Sequence, residues 1–245
     1  MTLSPQDESI PEGALRRAEI GPAPGFKERM RLLAHAVLAP IAGGLIALGL
    51  RPDHITVGGL LLSIAAGLLF FEGEFRWGSV VTAAAGVCDI LDGAMARRLG
   101  RGSVFGAFFD STLDRLAEAA VLVGIAGFYL VHLVDLVIDP AGAVAEIARG
   151  LEPRTWAVVS LTAMLALVGS FMVSYTRARA EGLGLECKVG WFERPERMVV
   201  LIVAAAFGVG PVMPGALIVL ALLSFVTALQ RVTHVWRITR GDGAA

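Results

Sequence analysis

Long runs without a charged residue constrain this chain more than any other feature of its sequence. The longest are Met198–Gln230, with 33 residues, and Thr155–Thr176, with 22 residues. A helix needs about 20 mostly apolar residues to cross the hydrocarbon part of a bilayer. Hydrophobic residues make up 56% of the chain and charged residues only 18%, and so few charges cannot cover the surface of a soluble domain. The sequence therefore predicts an integral membrane protein.

The apolar runs predict an all-α protein with six transmembrane helices. The longest run is divided by a segment rich in Gly and Pro at 208–215, which indicates two helices joined by a short hairpin. Several other runs reach the length of a span only when flanking polar residues are included. The predicted spans are 54–72, 76–98, 106–134, 155–178, 193–209 and 214–237. Charged residues therefore extend into the spans, and such residues are usually functional.

The segment before the first span is predicted to lie along the bilayer. Residues 27–50 contain an apolar stretch that is interrupted by Pro40 and flanked by basic residues on both sides. Because a span here would place one basic cluster outside the cell, we expect an amphipathic interfacial helix. Six spans then leave both termini in the cytoplasm, with 17 of the 21 Lys and Arg residues on that side. Residues 1–25 are polar and contain several prolines, which predicts a disordered cytoplasmic tail before a membrane domain at 26–240.

Four aspartates lie where the second predicted span ends and the third begins. They are Asp89, Asp92, Asp110 and Asp114. The first two are three residues apart and the last two are four apart, so each pair shares one helix face. Because only residues 99–105 join the two predicted helices, we expect antiparallel neighbours whose acidic faces lie at the same depth. Gly93 and Gly106 are expected where the two backbones approach each other.

This cluster of carboxylates is costly inside a membrane, because each charge is poorly solvated and the charges repel one another. Arg97, Arg98 and Arg115 are close enough in sequence to pair with some of the aspartates in a salt-bridge cluster. Divalent cations held by carboxylate oxygens neutralise the cluster more completely. Mg²⁺ or Mn²⁺ would also keep coordination positions open for the phosphates of a substrate. The residues therefore favour a metal site.

The aspartates belong to a longer pattern, D-x2-D-G-x2-A-R-x8-G-x3-D-x3-D, which runs from Asp89 to Asp114. This pattern resembles the signature of the CDP-alcohol phosphotransferases. Members of that family transfer a phosphatidyl-type group from a CDP-linked lipid to an acceptor hydroxyl and release CMP. The resemblance implies two Mg²⁺ or Mn²⁺ ions held by the four aspartates, with Asp114 also serving as the catalytic base. It further implies a homodimer in the cell membrane with a cytoplasmic active site.

The resemblance also implies a site for the lipid-linked nucleotide, expected to be CDP-diacylglycerol. Residues 51–56 are similar to a family element that faces the nucleotide, although Pro52 and Thr56 are equally typical of a helix start. The residues implied to contact the CDP-lipid are Asp53, His54, Ile55, Thr56, Gly93, Arg97 and Ser103.

Two arginine-containing stretches, Ser174–Glu181 and Phe192–Arg197, are similar to the branch of the family that uses inositol 1-phosphate as acceptor. The residues implied to bind the acceptor phosphate are Ser174, Arg177, Arg197 and Arg231. Arginines at the cytoplasmic ends of separate helices suit an acceptor that carries its own phosphate. Anchoring by the positive-inside rule would explain the same arginines without a ligand. Glycerol 3-phosphate, the acceptor of phosphatidylglycerophosphate synthases, would suit a similar pocket.

Two other classes of membrane protein also place acidic residues inside the bilayer. An aromatic prenyltransferase uses Asp-rich motifs with magnesium, but its acids would lie on different helices without the second half of the pattern. A cation transporter could hold metal on four aspartates, yet it has no need of Arg97 or of the later arginines. A nucleic-acid-binding protein is not indicated, because the formal net charge is only −1.

Overall fold

The computed structural model describes residues 26–100, 103–148 and 153–241. Within them the chain is entirely helical apart from its connections, which confirms the all-α prediction. The described helices are α1 (Phe26–Ala47), α2 (Pro52–Phe71), α3 (Phe75–Arg98), α4 (Val104–Ile138), α5 (Pro140–Ala148), α6 (Pro153–Glu181), α7 (Arg194–Ala206) and α8 (Val212–Thr239). The predicted tail at 1–25 lies outside the described residues.

Five of these helices are long and apolar enough to cross a membrane, which confirms a multi-pass protein. They are α2, α3, α4, α6 and α8. The segment predicted as a span at 193–209 forms α7, which has only 13 residues. At 1.5 Å per residue α7 is about 20 Å long, shorter than the roughly 30 Å of a bilayer's hydrocarbon core. The count of six spans is therefore not confirmed and stays a prediction.

Helix α7 is short because it begins inside the bundle. Its first residue, Arg194, contacts Asp89 of α3. Asp89 lies nine residues before Arg98, the last residue of α3, or about 14 Å along the helix axis. The non-helical segment 182–193 leads the chain down to this depth. The short helix therefore delivers an arginine to the level of the aspartates.

Helix α1 packs on the outside of α3. Ala42 is fully buried in an apolar cluster with Leu91, Ala94 and Met95 of α3. The apolar part of the helix, Val37–Ala47, is too short to span a bilayer. A helix is therefore found where the interfacial helix was predicted, and this apolar cluster packs it against α3.

Six helices form a closed ring. α2 packs against α3 and α4, α6 packs against α4 and α8, and α7 packs against α3 and α8. The inside of the ring is an apolar core that includes Phe70, Tyr129, Trp156 and Leu217. The acidic faces of α3 and α4 point into this ring of helices. They lie toward the end of the bundle at which α3 ends and α4 begins.

The prediction that α3 and α4 are packed neighbours is wrong. In the described residues they have almost no close backbone contact with each other, because α2 lies between them and packs against both. Residues 99–103 connect the two helices, and five extended residues can span roughly 17 Å. A short connection therefore brings the ends of α3 and α4 to one level without forcing the helices together.

The close backbone approach lies elsewhere than predicted. A Cβ on Gly93 would meet the Arg97 guanidinium at 3.3 Å, and a Cβ on Gly106 would meet the Ser103 hydroxyl at 2.9 Å, so neither glycine faces a second backbone. In contrast, a Cβ on Gly124 of α4 would overlap the carbonyl oxygen of Gly67 in α2. The crossing of α2 and α4 therefore requires glycine at these two positions.

We expect Gly124→Ala to lower the melting temperature of the purified protein in detergent. The added methyl group must push α2 and α4 apart, and overpacking of this kind costs about 1–3 kcal/mol. Gly58→Ala is the matched control, because a Cβ there meets no atom within 4 Å and alanine otherwise favours a helix. Equal melting temperatures for the two variants would show that the crossing tolerates a side chain.

Candidate active site

Three of the four predicted aspartates meet at the inner face of the ring. Asp89 and Asp92 of α3 and Asp110 of α4 each place a carboxylate oxygen within 4.8 Å of the others. α3 and α4 lie on either side of α2, and the three-residue and four-residue spacings keep the acidic residues of each helix on one face. The predicted convergence of the acidic faces is therefore found in the structure for these three residues.

The donor set suits a hard divalent cation. Asp92 Oδ2 and Asp110 Oδ1 are buried, and neither has a hydrogen-bond partner in the described part of the chain. A buried carboxylate oxygen without a partner is strongly unfavourable. Carboxylate oxygens are the ligands that Mg²⁺ and Mn²⁺ prefer. The residues present therefore fit the metal that the pattern implies.

Asp114, the fourth aspartate, is occupied differently. Its Oδ1 accepts an ion-pair contact from Nη1 of Arg194 at 2.7 Å. The same nitrogen lies 3.2 Å from Oδ2 of Asp89. Arg194 therefore bridges the acidic residues of α3 and α4 from the start of α7.

Arg194 is the site residue that sequence reasoning missed. The predicted partners of the aspartates were Arg97, Arg98 and Arg115, which are near them in sequence. The Arg115 guanidinium instead donates to the backbone carbonyl of Ser111, and Arg98 lies across Gly43 of α1. The available signal was Pro195, which directly follows Arg194 and marks a helix start. The sequence alone does not show that this helix starts at the level of the aspartates.

A cavity of about 510 Å³ opens on one side of the carboxylate cluster. We call it the α2–α4 cavity, because the starts of α2 and α4 and the end of α3 form its walls. Its lining includes Asp92 and Asp110 together with four residues predicted to contact the CDP-lipid: Asp53, Thr56, Gly93 and Ser103.

The other three predicted CDP-lipid residues are placed around this cavity rather than on its lining. His54 Nδ1 accepts a hydrogen bond from the backbone N–H of Arg51 at 3.4 Å and so caps α2. Ile55 packs against the apolar cluster between α1 and α3. An Arg97 guanidinium nitrogen lies 3.3 Å from the position of a Cβ on Gly93, which places this side chain beside the cavity wall.

A second cavity, of about 190 Å³, lies on the other side of Asp114. We call it the arginine cavity. Its walls come from α4, α6, α7 and α8, and they include all four residues predicted to bind the acceptor phosphate: Ser174, Arg177, Arg197 and Arg231. Asp114 and Arg194 also line it, so the arginine cavity shares a wall with the carboxylate cluster.

Arg197 is held in a buried ion pair. Its Nε and Nη2 donate to the two carboxylate oxygens of Glu118 at 2.6 and 2.9 Å. The side chains are only 1% and 3% exposed. Glu118 lies one helical turn after Asp114 on α4, and Arg197 lies about one turn after Arg194 on α7. Two arginine–carboxylate pairs therefore fix the start of α7 against α4.

Arg231 is buried and hydrogen-bonded to the protein like Arg197, whereas Arg177 is more exposed. Arg231 is buried and donates to the carbonyl oxygens of Val189 and Val173 at 2.8 and 2.5 Å, and to Glu193 at 3.2 Å. Among the described residues, Arg177 forms one ion pair, with Glu181 one turn away at 2.9 Å, and its side chain is 42% exposed. Of the three predicted phosphate-binding arginines, Arg177 therefore has the guanidinium most accessible to a ligand.

Comparison with known proteins agrees with this geometry. The sequence profile of the CDP-alcohol phosphatidyltransferase family matches residues 50–236. The chain belongs to this family. The assignment identifies an enzyme of phospholipid synthesis, and it favours the transferase over the prenyltransferase and transporter alternatives.

Two similar proteins are an archaetidylinositol phosphate synthase and a phosphatidylinositol phosphate synthase. The chain is 38% identical over 193 residues to the archaetidylinositol phosphate synthase of Methanothermobacter thermautotrophicus, which covers 78% of this chain and 85% of that protein. It is 39% identical over 220 residues to the phosphatidylinositol phosphate synthase of Streptomyces avermitilis, covering 85% and 82% of the two chains.

Solved structures of a third relative share the fold. The phosphatidylinositol phosphate synthase of Mycobacterium tuberculosis with CDP-DAG bound has 33% identity and a TM-score of 0.68, over 82% of this chain and 94% of that one. The same enzyme in complex with manganese and citrate gives a TM-score of 0.66 at 33% identity, over 81% and 88% of the two chains.

We expect Arg197→Leu to destabilise the protein strongly. The substitution leaves the Glu118 carboxylate buried without a partner, and breaking a buried pair in this way costs about 3–5 kcal/mol. Arg177→Leu is the control, because it removes a partly exposed pair worth at most about 1 kcal/mol. Thermal unfolding in one detergent compares the two. An unchanged melting temperature for Arg197→Leu would mean that the Glu118 pair does not hold α7 in place.

Proposed function

We propose that this enzyme transfers the phosphatidyl group of CDP-diacylglycerol to a hydroxyl of inositol 1-phosphate and releases CMP. One observation carries the proposal: the carboxylate cluster lies between a cavity lined by the predicted nucleotide residues and a cavity lined by arginines. A donor substrate and a phosphorylated acceptor in these two cavities would meet at the aspartates.

Asp89, Asp92, Asp110 and Asp114 are proposed to hold two ions, Mg²⁺ or Mn²⁺. When bound, such ions neutralise charge on the diphosphate of the donor and on the departing CMP. Asp92 and Asp110 each have a buried oxygen that lacks a hydrogen-bond partner in the described part of the chain, which supports this role. A related enzyme from M. tuberculosis has been solved with manganese, which adds independent support for metal at this type of site.

Asp114 is proposed as the general base. Its carboxylate lines the arginine cavity and lies at the edge of the cluster, so one of its oxygens can accept the proton of an acceptor hydroxyl held there. The hydroxyl oxygen then attacks the lipid-linked phosphorus. The reaction needs its general base next to the acceptor alcohol, because the proton is removed from the alcohol and not from the nucleotide.

The nucleotide end of the donor is assigned to the α2–α4 cavity. Asp53, Thr56, Gly93 and Ser103 line it, and Arg97 lies beside Gly93 as a cation for the diphosphate. His54 and Ile55 are proposed to act by fixing the start of α2. Ser103 also caps α4, because its hydroxyl accepts a hydrogen bond from the Gly106 N–H at 2.8 Å.

The acceptor is proposed to be inositol 1-phosphate, and the names of the similar proteins support this choice over glycerol 3-phosphate. Ser174, Arg177, Arg197 and Arg231 are proposed to form the phosphate site. Arg177 is expected to make the main direct contact, because Arg197 and Arg231 already donate to protein groups.

The distribution of Lys and Arg supports a cytoplasmic active site. With six spans, 17 of the 21 basic residues lie on the side that carries both termini, as the positive-inside rule requires. We propose this orientation, with CDP-diacylglycerol entering from the bilayer, and a homodimer as the assembled form.

Chelation should abolish CMP release from CDP-diacylglycerol, and added Mg²⁺ or Mn²⁺ should restore it. Asp92→Asn should prevent the recovery, because it weakens the oxygen ligands of the cluster. Asp135→Asn, the same change at an exposed position near the far end of α4, is the control and should behave as the wild type. Full activity in a chelated sample would exclude the metal role.

Arg177→Ala should raise the KM for inositol 1-phosphate about tenfold or more, since a charge-assisted contact is worth roughly 1.5–3 kcal/mol. The KM for CDP-diacylglycerol should change little. Arg179→Ala is the matched control, because this exposed residue lies on the same helix and outside the lining of the arginine cavity. Equal effects on both KM values, or faster turnover with glycerol 3-phosphate, would contradict the assigned acceptor site.

A further inference from the structure

The contacts of Arg194, whose side chain is 24% exposed, set it apart from the buried Arg197. A guanidinium has five N–H donors, but Nη1 of Arg194 makes both of its ion-pair contacts, to Asp114 and Asp89. Its Nε is buried and has no hydrogen-bond partner among the described residues. Arg197, three residues later, binds Glu118 through two nitrogens at 2.6 and 2.9 Å. Arg194 is therefore held by fewer of its donors than Arg197.

The side chain of Arg194 lies between two cavities and lines both of them. It lines a small gap of about 20 Å³ between α2, α3 and α4, beside Asp89 and Asp114. It also lines the arginine cavity. The backbone of this residue is fixed by Pro195 in the first turn of α7 and by the Arg197–Glu118 pair. A change of side-chain rotamer can therefore move the guanidinium between the two without moving α7.

The contacts of Arg194 divide the aspartates into two groups. Asp92 and Asp110 each have a buried oxygen without a hydrogen-bond partner among the described residues, so each can accept a cation without losing such a partner. Asp89 and Asp114 each give an oxygen to Arg194. A divalent cation cannot approach those oxygens while a guanidinium occupies them, because the two positive charges repel each other.

We propose that Arg194 is an internal counter-ion that competes with the metal for Asp89 and Asp114, and that the displaced guanidinium turns into the arginine cavity and strengthens binding of the acceptor phosphate. This inference rests on the proposed function, since it assumes metal at the aspartates and a phosphorylated acceptor in the arginine cavity. The exchange makes metal and acceptor binding mutually favourable, and such coupling is reciprocal.

The first measurement is Mn²⁺ binding to the purified full chain in detergent at fixed ionic strength, without substrates, followed by electron paramagnetic resonance. Arg194→Gln should tighten the Kd for Mn²⁺ about tenfold, because the competing cation is gone. Arg115→Gln is the matched control, since it removes an equal charge from α4 next to Asp114, where the guanidinium contacts the Ser111 carbonyl. Its effect should be much smaller.

The second measurement is the affinity for inositol 1-phosphate with and without Mn²⁺, by calorimetry. In the wild type, Mn²⁺ should tighten this affinity about tenfold, and in Arg194→Gln the gain should largely disappear. Arg194→Lys replaces Arg194→Gln if the neutral variant does not fold. Lysine keeps one charge but presents a single nitrogen, so the Mn²⁺ affinity should still rise, by less than in Arg194→Gln.

The outcomes separate this inference from the proposed function. If the wild type does not bind Mn²⁺, or Asp92→Asn binds it equally well, the proposed metal site itself is wrong. If Mn²⁺ binds at the aspartates with the same Kd in wild type and Arg194→Gln, or if Arg115→Gln tightens it equally, competition by Arg194 is excluded. If competition holds but Mn²⁺ leaves the affinity for inositol 1-phosphate unchanged, the transfer of Arg194 to the acceptor phosphate is excluded.

Discussion

Mutual repulsion among four carboxylates inside a membrane bundle is the constraint on which the rest of this structure depends. Asp89, Asp92 and Asp110 place oxygens within 4.8 Å of one another, and at such distances like charges in a poorly solvated interior repel strongly. Arg194 contacts Asp89 and Asp114 through two ion pairs. One guanidinium cannot balance four ionised carboxylates, and divalent ions bound by the carboxylate oxygens would supply further positive charge.

The ring of helices keeps this cluster accessible. If α3 and α4 were packed side by side, their acidic faces would close on each other and leave no room for a substrate. Helix α2 prevents this by lying between them, and it can cross α4 closely because Gly67 and Gly124 carry no side chains. The α2–α4 cavity opens as a consequence beside Asp92 and Asp110. Close packing of α2 against α4 at Gly67 and Gly124 therefore accompanies an open cavity at the starts of the same two helices.

The sequence predicted those features that depend on local spacing. Apolar runs gave the long helices, and the spacings within the two aspartate pairs gave the shared inward face. Features that depend on tertiary placement were not predictable in this way. Gly67 and Gly124 are two of 29 glycines, with nothing local to distinguish them, and Arg194 lies about 80 positions from the aspartate that it contacts most closely. The sequence likewise shows that Arg177, Arg197 and Arg231 are cationic, but not that Glu118 already holds Arg197.

Arg194 and Arg197 differ in their contacts because their carboxylate partners differ. Four ionised aspartates and two divalent ions carry equal and opposite formal charge, so a fully loaded cluster leaves no negative charge for Arg194. Arg197 faces no such change, because Glu118 is its partner whether or not metal is bound. One arginine of α7 therefore keeps the helix in register with α4, while the other is free to change partners. Arg194 already lines the arginine cavity, so the phosphate of an acceptor bound there would offer it a new partner, whereas Glu118 and Glu193 in the same lining already hold Arg197 and Arg231.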